Sequence, residues 1–274
     1  MGLILGMDLG SSSAKVVSLR NGDFEAPLRI TTAGHGPDVN EMLDTYMSHN
    51  GLTLGQIDRV MLTGVGSLSA PASIHGLPTQ CVSEFVCDGL GARYLSGIDR
   101  MVVVSMGTGT TLVRVDGDTM THIGGLAMGG GTLNGLSRLL LPHLSLDEVV
   151  ALSREGDQRK VNLLIGDVCP VALENLPTYA TASLFGKIGR GEVSESDLAR
   201  ALTWMVLETI GSGAVLSQSH EGGLRDFVLI GALTQLPVSD ALFAMMEQLY
   251  GVRFHTPRHA TYCTALGAAL ATER

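Results

Sequence analysis

Two stretches of this chain place glycine, serine and threonine directly at the end of an apolar run, a combination suited to gripping a polyphosphate. The first is Leu3-Ile4-Leu5-Gly6-Met7-Asp8-Leu9-Gly10-Ser11-Ser12-Ser13-Ala14-Lys15. The second is Met101-Val102-Val103-Val104-Ser105-Met106-Gly107-Thr108-Gly109-Thr110-Thr111. Glycine lets the backbone approach a ligand, and the amides and hydroxyls of such turns converge on one anion. Asp8, followed at once by Gly10 and Ser11 to Ser13, is placed to hold Mg²⁺, which takes oxygen ligands and keeps much of its water. Bracing the turn is the plainer role for the same carboxylate. Lys15 can set positive charge on the β- and γ-phosphates during transfer, or be a solvated strand lysine. Thr108 and Thr111 offer hydroxyls to a phosphate or to a substrate polar group, or simply favour the turn.

Two further glycine sites extend the pattern. Gly130, Gly131 and Thr132, with Leu133 and Asn134 behind them, are expected close to a nucleotide, Asn134 at its ribose or base. A glycine run is costly to order unless a close approach requires it; the alternative is a flexible loop. Gly231 and Ala232, after Val228-Leu229-Ile230, would let an adenine pack on the backbone, or let a helix pack on a strand.

The elements that must carry these residues read as alternating strands and helices. Residues 3–8 and 14–20 form two strands with a polar tip between them, and Arg59 to Thr63 is a third, ending in Gly64-Val65-Gly66-Ser67. Helices are expected over Asp38 to Asn50, Ser83 to Ser96 and Leu133 to Leu141, after Ser145, and from Ser194-Glu195-Ser196-Asp197 through the apolar run to Leu216. Asp116-Gly117-Asp118 is a hairpin turn. A strand over Phe227 to Ile230, a helix after Gly231, a strand around Val252 to His255 and an alanine-rich helix from Cys263 to Ala271 finish the chain. The predicted class is α/β with two related lobes, residues 1–97 and 98–274, around a cleft, the last helix packing back toward the first lobe.

Bulk properties exclude several functions. The chain has 274 residues, 45% hydrophobic and 16% charged, with a formal net charge of −9. That suits a folded protein with a sizeable core and argues against a nucleic-acid partner, which needs a Lys/Arg surface. The most apolar helix candidate, Leu198 to Leu216, holds Arg200 and Glu208, so no membrane span is expected. With a strand directly at the start and no basic leader, a cytoplasmic setting is expected. Cys81, Cys87, Cys169 and Cys263 form no C-x-x-C pair, and the eight histidines form no metal-ligating pattern.

Taken in order, these motifs resemble the actin, hexokinase and Hsp70 superfamily. Asp8-x-Gly10-x-x-x-x-Lys15 resembles its first phosphate motif, Met106-Gly107-Thr108-Gly109-Thr110 the second, and Val228-Leu229-Ile230-Gly231 the adenosine motif. Within it the chain is most similar to type II pantothenate kinases. That narrower resemblance rests on Val82-Ser83-Glu84-Phe85, Gly124-Gly125-x-x-x-Gly129-Gly130-Gly131-Thr132, Arg154-Glu155-Gly156-Asp157 and Thr261 to Leu270. It implies a two-lobed actin-like ATPase fold and phosphorylation of pantothenate by Mg-ATP to 4′-phosphopantothenate, the first step toward coenzyme A. Glu84 would be the general base; by itself it reads as an ordinary acid at a helix N-terminus. The resemblance also implies a homodimer through the Leu198 to Gln218 helix and makes coenzyme A or acyl-CoA a candidate regulator. Two departures stand out. His122 replaces an arginine that in the family helps bind the pantothenate carboxylate, and neutral imidazole is a poor substitute for a guanidinium. Ala232 replaces a serine of the adenosine motif.

Other readings share the machinery. Asp8-Leu9-Gly10-Ser11-Ser12 also resembles the activator ATPases of 2-hydroxyacyl-CoA dehydratases, but Met106-Gly107-Thr108 has no cysteine beside it to hold an iron–sulfur cluster. A kinase for another small hydroxyl substrate, or a nucleotide sensor without turnover, fits the same phosphate loops.

Overall fold

A strand feeding straight into a glycine turn and back out is the motif on which both sheets are built. The computed structural model describes residues 2–10, 13–31, 38–169, 176–220 and 222–271. The first sheet takes β1 (Leu3–Leu9), β2 (Ser13–Arg20) and β3 (Asp23–Thr31) as an antiparallel meander. α1 (Val39–Asn50), capped by the Asp38 carboxylate on the Asn40 amide, crosses to β4 (Ile57–Thr63), which lies parallel to β1. β5 (Ser73–Ile74) and β6 (Leu77–Cys81) complete the order β3-β2-β1-β4-β6-β5. The parallel β1–β4 pair, buried on both faces, reads as nearly continuous aliphatic sequence, as a covered parallel pair requires.

α2 (Glu84–Ser96) starts behind Ser83 and ends at Gly97, which takes the left-handed conformation with φ 70°. The second sheet repeats the first: β7 (Arg100–Met106), β8 (Thr110–Asp116) and β9 (Thr119–Leu126) form the meander, turning at Gly117. α3 (Gly130–Leu140), α4 (Leu146–Leu152), β10 (Leu163–Leu164), α5 (Ile165–Val168) and β11 (Thr181–Ser183) lead to the long α6 (Glu195–Leu216). β12 (Asp226–Ile230) lies parallel to β7, α7 (Ser239–Tyr250) follows, β13 (Arg253–His255) pairs with β12, and α8 (Cys263–Leu270) closes the chain. The order is β13-β12-β7-β8-β9.

The two sheets exchange helices. α2, which follows the first sheet in sequence, packs Ala92 and Leu95 against Met101, Val103, Val113 and Val228 of the second. α8, which follows the second sheet, packs Ala265, Leu266 and Ala269 against Val17 and Leu19 of the first. The two helices touch backbone to backbone. A methyl on Gly91 would overlap the Cys263 carbonyl, and one on Gly267 the Cys87 carbonyl.

Several expectations shift. β3, β5, β6, β10, α5 and β11 have no counterpart in the sequence reading. α3 begins at Gly130, three residues before the expected Leu133, and Gly124 and Gly125 belong to β9. The stretch after Gly231 is first a short 3₁₀ turn, Ala232–Gln235, and α7 starts only at Ser239. α6 is capped as expected, Ser194 and Asp197 forming a reciprocal capping box. Within α6 only Glu195 and Leu216 are exposed. No helix among the described residues is long and apolar enough to cross a membrane.

Candidate active site

β1 and β2 carry the central pair of the site. Asp8, at the end of β1, lies directly opposite Lys15 on β2, and Lys15 Nζ donates to Asp8 Oδ2 at 2.9 Å. Both side chains are largely enclosed, 10% exposed for Asp8 and 14% for Lys15. Gly64, at the end of the neighbouring β4 and at φ 83°, lies so close that a Cβ there would sit 2.8 Å from Asp8 Oδ1. The Gly64 to Ser67 turn, noticed in sequence without a role, is therefore what backs Asp8. Ser11 and Ser12 lie outside the described residues; Gly10 and Ser13 flank them on the wall of a cleft of about 690 Å³.

The opposite wall comes from the second sheet. Ser105, Gly107, Thr108, Gly109, Thr110 and Thr111 line the cleft where β7 turns into β8. The glycine run of α3 packs on this turn: the Gly130 amide donates to the Gly107 carbonyl at 2.8 Å, and the Gly131 amide to the Thr108 carbonyl at 2.9 Å. These two amides thus brace the turn between β7 and β8. A Cβ on Gly129 would meet the Thr108 carbonyl oxygen at 2.5 Å and one on Gly131 the same oxygen at 3.1 Å, so the run is small because backbone lies against backbone. Gly130, Gly131 and Asn134 still border the cleft. Thr132 does not; its hydroxyl donates to the Ala127 carbonyl at 3.4 Å. Leu133, 1% exposed, belongs to the core under the second sheet, so its side chain is unavailable to a nucleotide.

Gly231 forms the far end of the cleft with Ala232 and Leu233. Its φ is 94°, and a methyl there would overlap the Met106 carbonyl, so both backbone conformation and close approach call for glycine.

Glu84, first residue of α2, opens onto the cleft. Crowding by surrounding protein raises its pKa, Asp8 pushes it the same way, and Lys15 opposes. One turn further along α2, Asp88 is fully buried. Thr264 donates to its Oδ1 at 2.7 Å, while Oδ2 has no hydrogen-bond partner among the described residues. Burial pushes this carboxyl up to about 7, with Thr264 holding it down and Glu84 adding to the rise. Asp88 was legible four residues after Glu84 on one helix face, yet only packing against α8 shows that it is sealed.

His122 is not brought to the cleft lining. Its ring stacks on Phe85, centroids 4.3 Å apart and planes 8° from parallel. Residues the sequence reading passed over do line it: Arg29 on β3, Ser105, Leu126, Leu146, Thr261 and Thr264. Arg29 carries the least sequence signal, because its strand is an edge with no clean alternation. The Arg154-Glu155-Gly156-Asp157 turn lies elsewhere, the Asp157 amide donating to Asp197 Oδ1 at 2.8 Å at the start of α6. Its role is to seat that helix.

Two meanders face each other across a glycine-lined cleft that holds a part-buried Asp–Lys pair, and comparison with known proteins places this architecture. The Fumble family profile matches residues 100–271, well over half of the chain. The chain belongs to the Fumble family. The chain is 36% identical over 135 residues to pantothenate kinase 1 of Arabidopsis thaliana, covering 46% of this chain and 35% of that one. The matched stretch thus spans about a third of the plant protein's length. A type II pantothenate kinase of Bacillus anthracis is 26% identical over 219 residues, 75% of this chain and 74% of that one. Among solved structures, the activator of the 2-hydroxyisocaproyl-CoA dehydratase from Clostridium difficile, with bound ADPNP, superposes with a TM-score of 0.69 at 18% identity. That match covers 98% of this chain and 93% of the activator, and it shows that this Fumble member has the actin-like ATPase fold.

Proposed function

We propose that this chain phosphorylates pantothenate with ATP, giving ADP and 4′-phosphopantothenate, and that Glu84 is the general base. The observation that carries the reading is the meeting of Glu84 with the Asp8–Lys15 pair in one cleft, opposite the Thr108 turn. Glu84 accepts the proton of the substrate's primary hydroxyl as that oxygen attacks the γ-phosphorus; the bond from phosphorus to the bridging oxygen breaks and ADP leaves with the electron pair. Catalysis of this kind is mostly positioning and charge stabilisation. Lys15 and the turn of residues 107–110 face the phosphates, and Gly231, Ala232 and Asn134 the nucleoside. These roles, and a division into lobes near residue 97, belong to the proposal.

Asp8 is suited to Mg²⁺: a nearly enclosed carboxylate on the cleft wall, one oxygen held by Lys15, able to take one corner of an ion that keeps its water. The ion would neutralise charge between the β- and γ-phosphates. A cytoplasmic setting, where ATP is available, is part of the same proposal. A homodimer through α6 would use its half-buried stripe, Met205, Thr209 and Ser212, ending at exposed Leu216.

A second reading has its own observation. With His122 stacked on Phe85, the position of the family's carboxylate-binding arginine is engaged elsewhere, which favours a different small hydroxyl acceptor. One experiment tests both: ADP release from Mg-ATP with and without pantothenate, for wild type and Glu84→Gln. Pantothenate-dependent turnover that the variant loses is the expected result. Tight ATP binding with no response to pantothenate sinks the acceptor assignment.

A further inference from the structure

The floor of the cleft has a charge deficit. Lys15, the cation nearest the phosphate turns, is already tied to Asp8 at 2.9 Å, and Glu84 adds a second carboxylate to the same wall. Even with an Mg²⁺ ion on Asp8, a triphosphate entering such a site gains from a further protein cation.

The strand register supplies it. Asp8 pairs with Lys15 across β1 and β2, and Lys15 pairs with Arg29 across β2 and β3. Three directly opposed positions on neighbouring strands put their side chains in one row on one face, about 5 Å from each to the next. Arg29 is thus the outermost member of an Asp–Lys–Arg row, and it lines the cleft. It is exposed, and its guanidinium makes no ion pair or hydrogen bond among the described residues. By contrast Arg20, on the same hairpin, is engaged with Glu25 at 3.4 Å.

We propose that Arg29 is a further phosphate-binding residue of this site, its guanidinium closing on the terminal phosphate beside the Asp8–Lys15 pair. The proposal rests on the reading of the cleft as a nucleoside triphosphate site, not on the identity of the acceptor. A planar guanidinium can hold two phosphate oxygens at once and stays charged, whereas an ammonium paired to a carboxylate has little charge left to give. Its place on the sheet argues for the phosphate over the acceptor. In the order β3-β2-β1-β4-β6, Arg29 and the strand that leads into Glu84 lie on opposite sides of Asp8. The attacking hydroxyl arrives at Glu84, so Arg29 meets the transferring group from the other flank.

The deciding measurement is calorimetric titration of Mg-ATP and Mg-ADP into wild type, Arg29→Ala, Arg29→Lys and the control Arg20→Ala. Arg29→Ala should weaken ATP by about tenfold or more while ADP changes little, Arg29→Lys should recover part of the loss, and Arg20→Ala should match wild type. An unchanged ratio of ATP to ADP affinity in Arg29→Ala overturns the assignment. In turnover with pantothenate, Arg29→Ala should lower kcat by about 10²-fold with the pantothenate KM unmoved, and added guanidinium should restore part of the rate. A rise confined to the pantothenate KM would place Arg29 on the acceptor and also overturn it. Should wild type bind ATP yet ignore pantothenate, the acceptor assignment fails, while the ATP-to-ADP comparison still decides Arg29.

Discussion

Two carboxyls one helical turn apart, Glu84 and Asp88, share the α2 face and differ in what surrounds them. Glu84 opens on the cleft with a raised pKa, and in the proposed role of general base it works only when deprotonated. The acid limb of kcat/KM should therefore lie above the range of an ordinary glutamate, activity falling as pH drops through it. Glu84→Gln should cost about 10²–10⁴-fold in kcat. Lys15→Met should move the acid limb of the remaining activity further up, since the Lys15 charge is what opposes the rise; a limb that stays or moves down would contradict this. Asp88 speaks through stability. Its pKa rises from 3.8 in the unfolded chain to about 7 in the fold, so between those values the native state holds the proton that the unfolded state has lost. Stability from this group thus falls as pH climbs from about 4 to about 7. Asp88→Asn should stabilise the protein by about 2–4 kcal/mol at pH 8, with the gap closing toward pH 4 in denaturant melts. A gain independent of pH would show that charge is not the cause.

At the scale of elements, the α2–α8 contact ties the chemistry to the fold. Gly91 and Gly267 let the two helices meet backbone to backbone, and Glu84 begins one of them. Gly267→Ala forces a methyl into the Cys87 carbonyl, which should cost about 1–3 kcal/mol and displace the start of α2. The expected result is a lower Tm together with a lower kcat. Gly97→Ala makes a useful contrast: a methyl at Gly97 meets nothing within 4 Å, but its φ of 70° is strained for alanine. It should cost stability of about 1 kcal/mol and leave kcat alone. If both variants lose activity in proportion to stability, the α2–α8 seam has no special hold on Glu84.

For the whole molecule, the cleft lies between two sheets whose helices are exchanged, so a ligand that touches both walls should stabilise the chain as one unit. At 100-fold over its dissociation constant, Mg-ATP adds about 2.7 kcal/mol to the folded state. For a chain of this size that corresponds to a Tm rise of about 5 °C. Two separate transitions, only one of them moved by nucleotide, would show that the walls unfold independently.

Much of this was legible before any fold was drawn. Asp8, Lys15 and the Gly107 to Thr110 turn, which the fold brings to one cleft, stood out in the sequence as apolar strands running into glycine and hydroxyl residues. The caps of α1, α4 and α6 were readable for a local reason: Asp38, Ser145 and Ser194 bond to amides two or three residues away. β3 was not readable. Its residues Asp23–Thr31 include a proline and three charged side chains, as suits an edge strand, and its pairing with β2 alone makes it a strand. Arg29 was hidden with it. The glycine run was noticed as a place of close approach, and it does border the cleft, but only tertiary packing shows that the Gly130 and Gly131 amides bond to the β7–β8 turn. His122 and Leu133 turn away from the cleft for a similar reason, one stacked on Phe85 and one in the core. What the sequence determined by itself was local: turn chemistry, caps and the apolar period of the strands, each set by residues within a few positions. Which helix lies under which sheet, which carboxyl is sealed and which cation is left unpaired depend on register and packing between segments far apart in the chain; Asp88 and Thr264 are 176 residues apart. No local pattern encodes those distances.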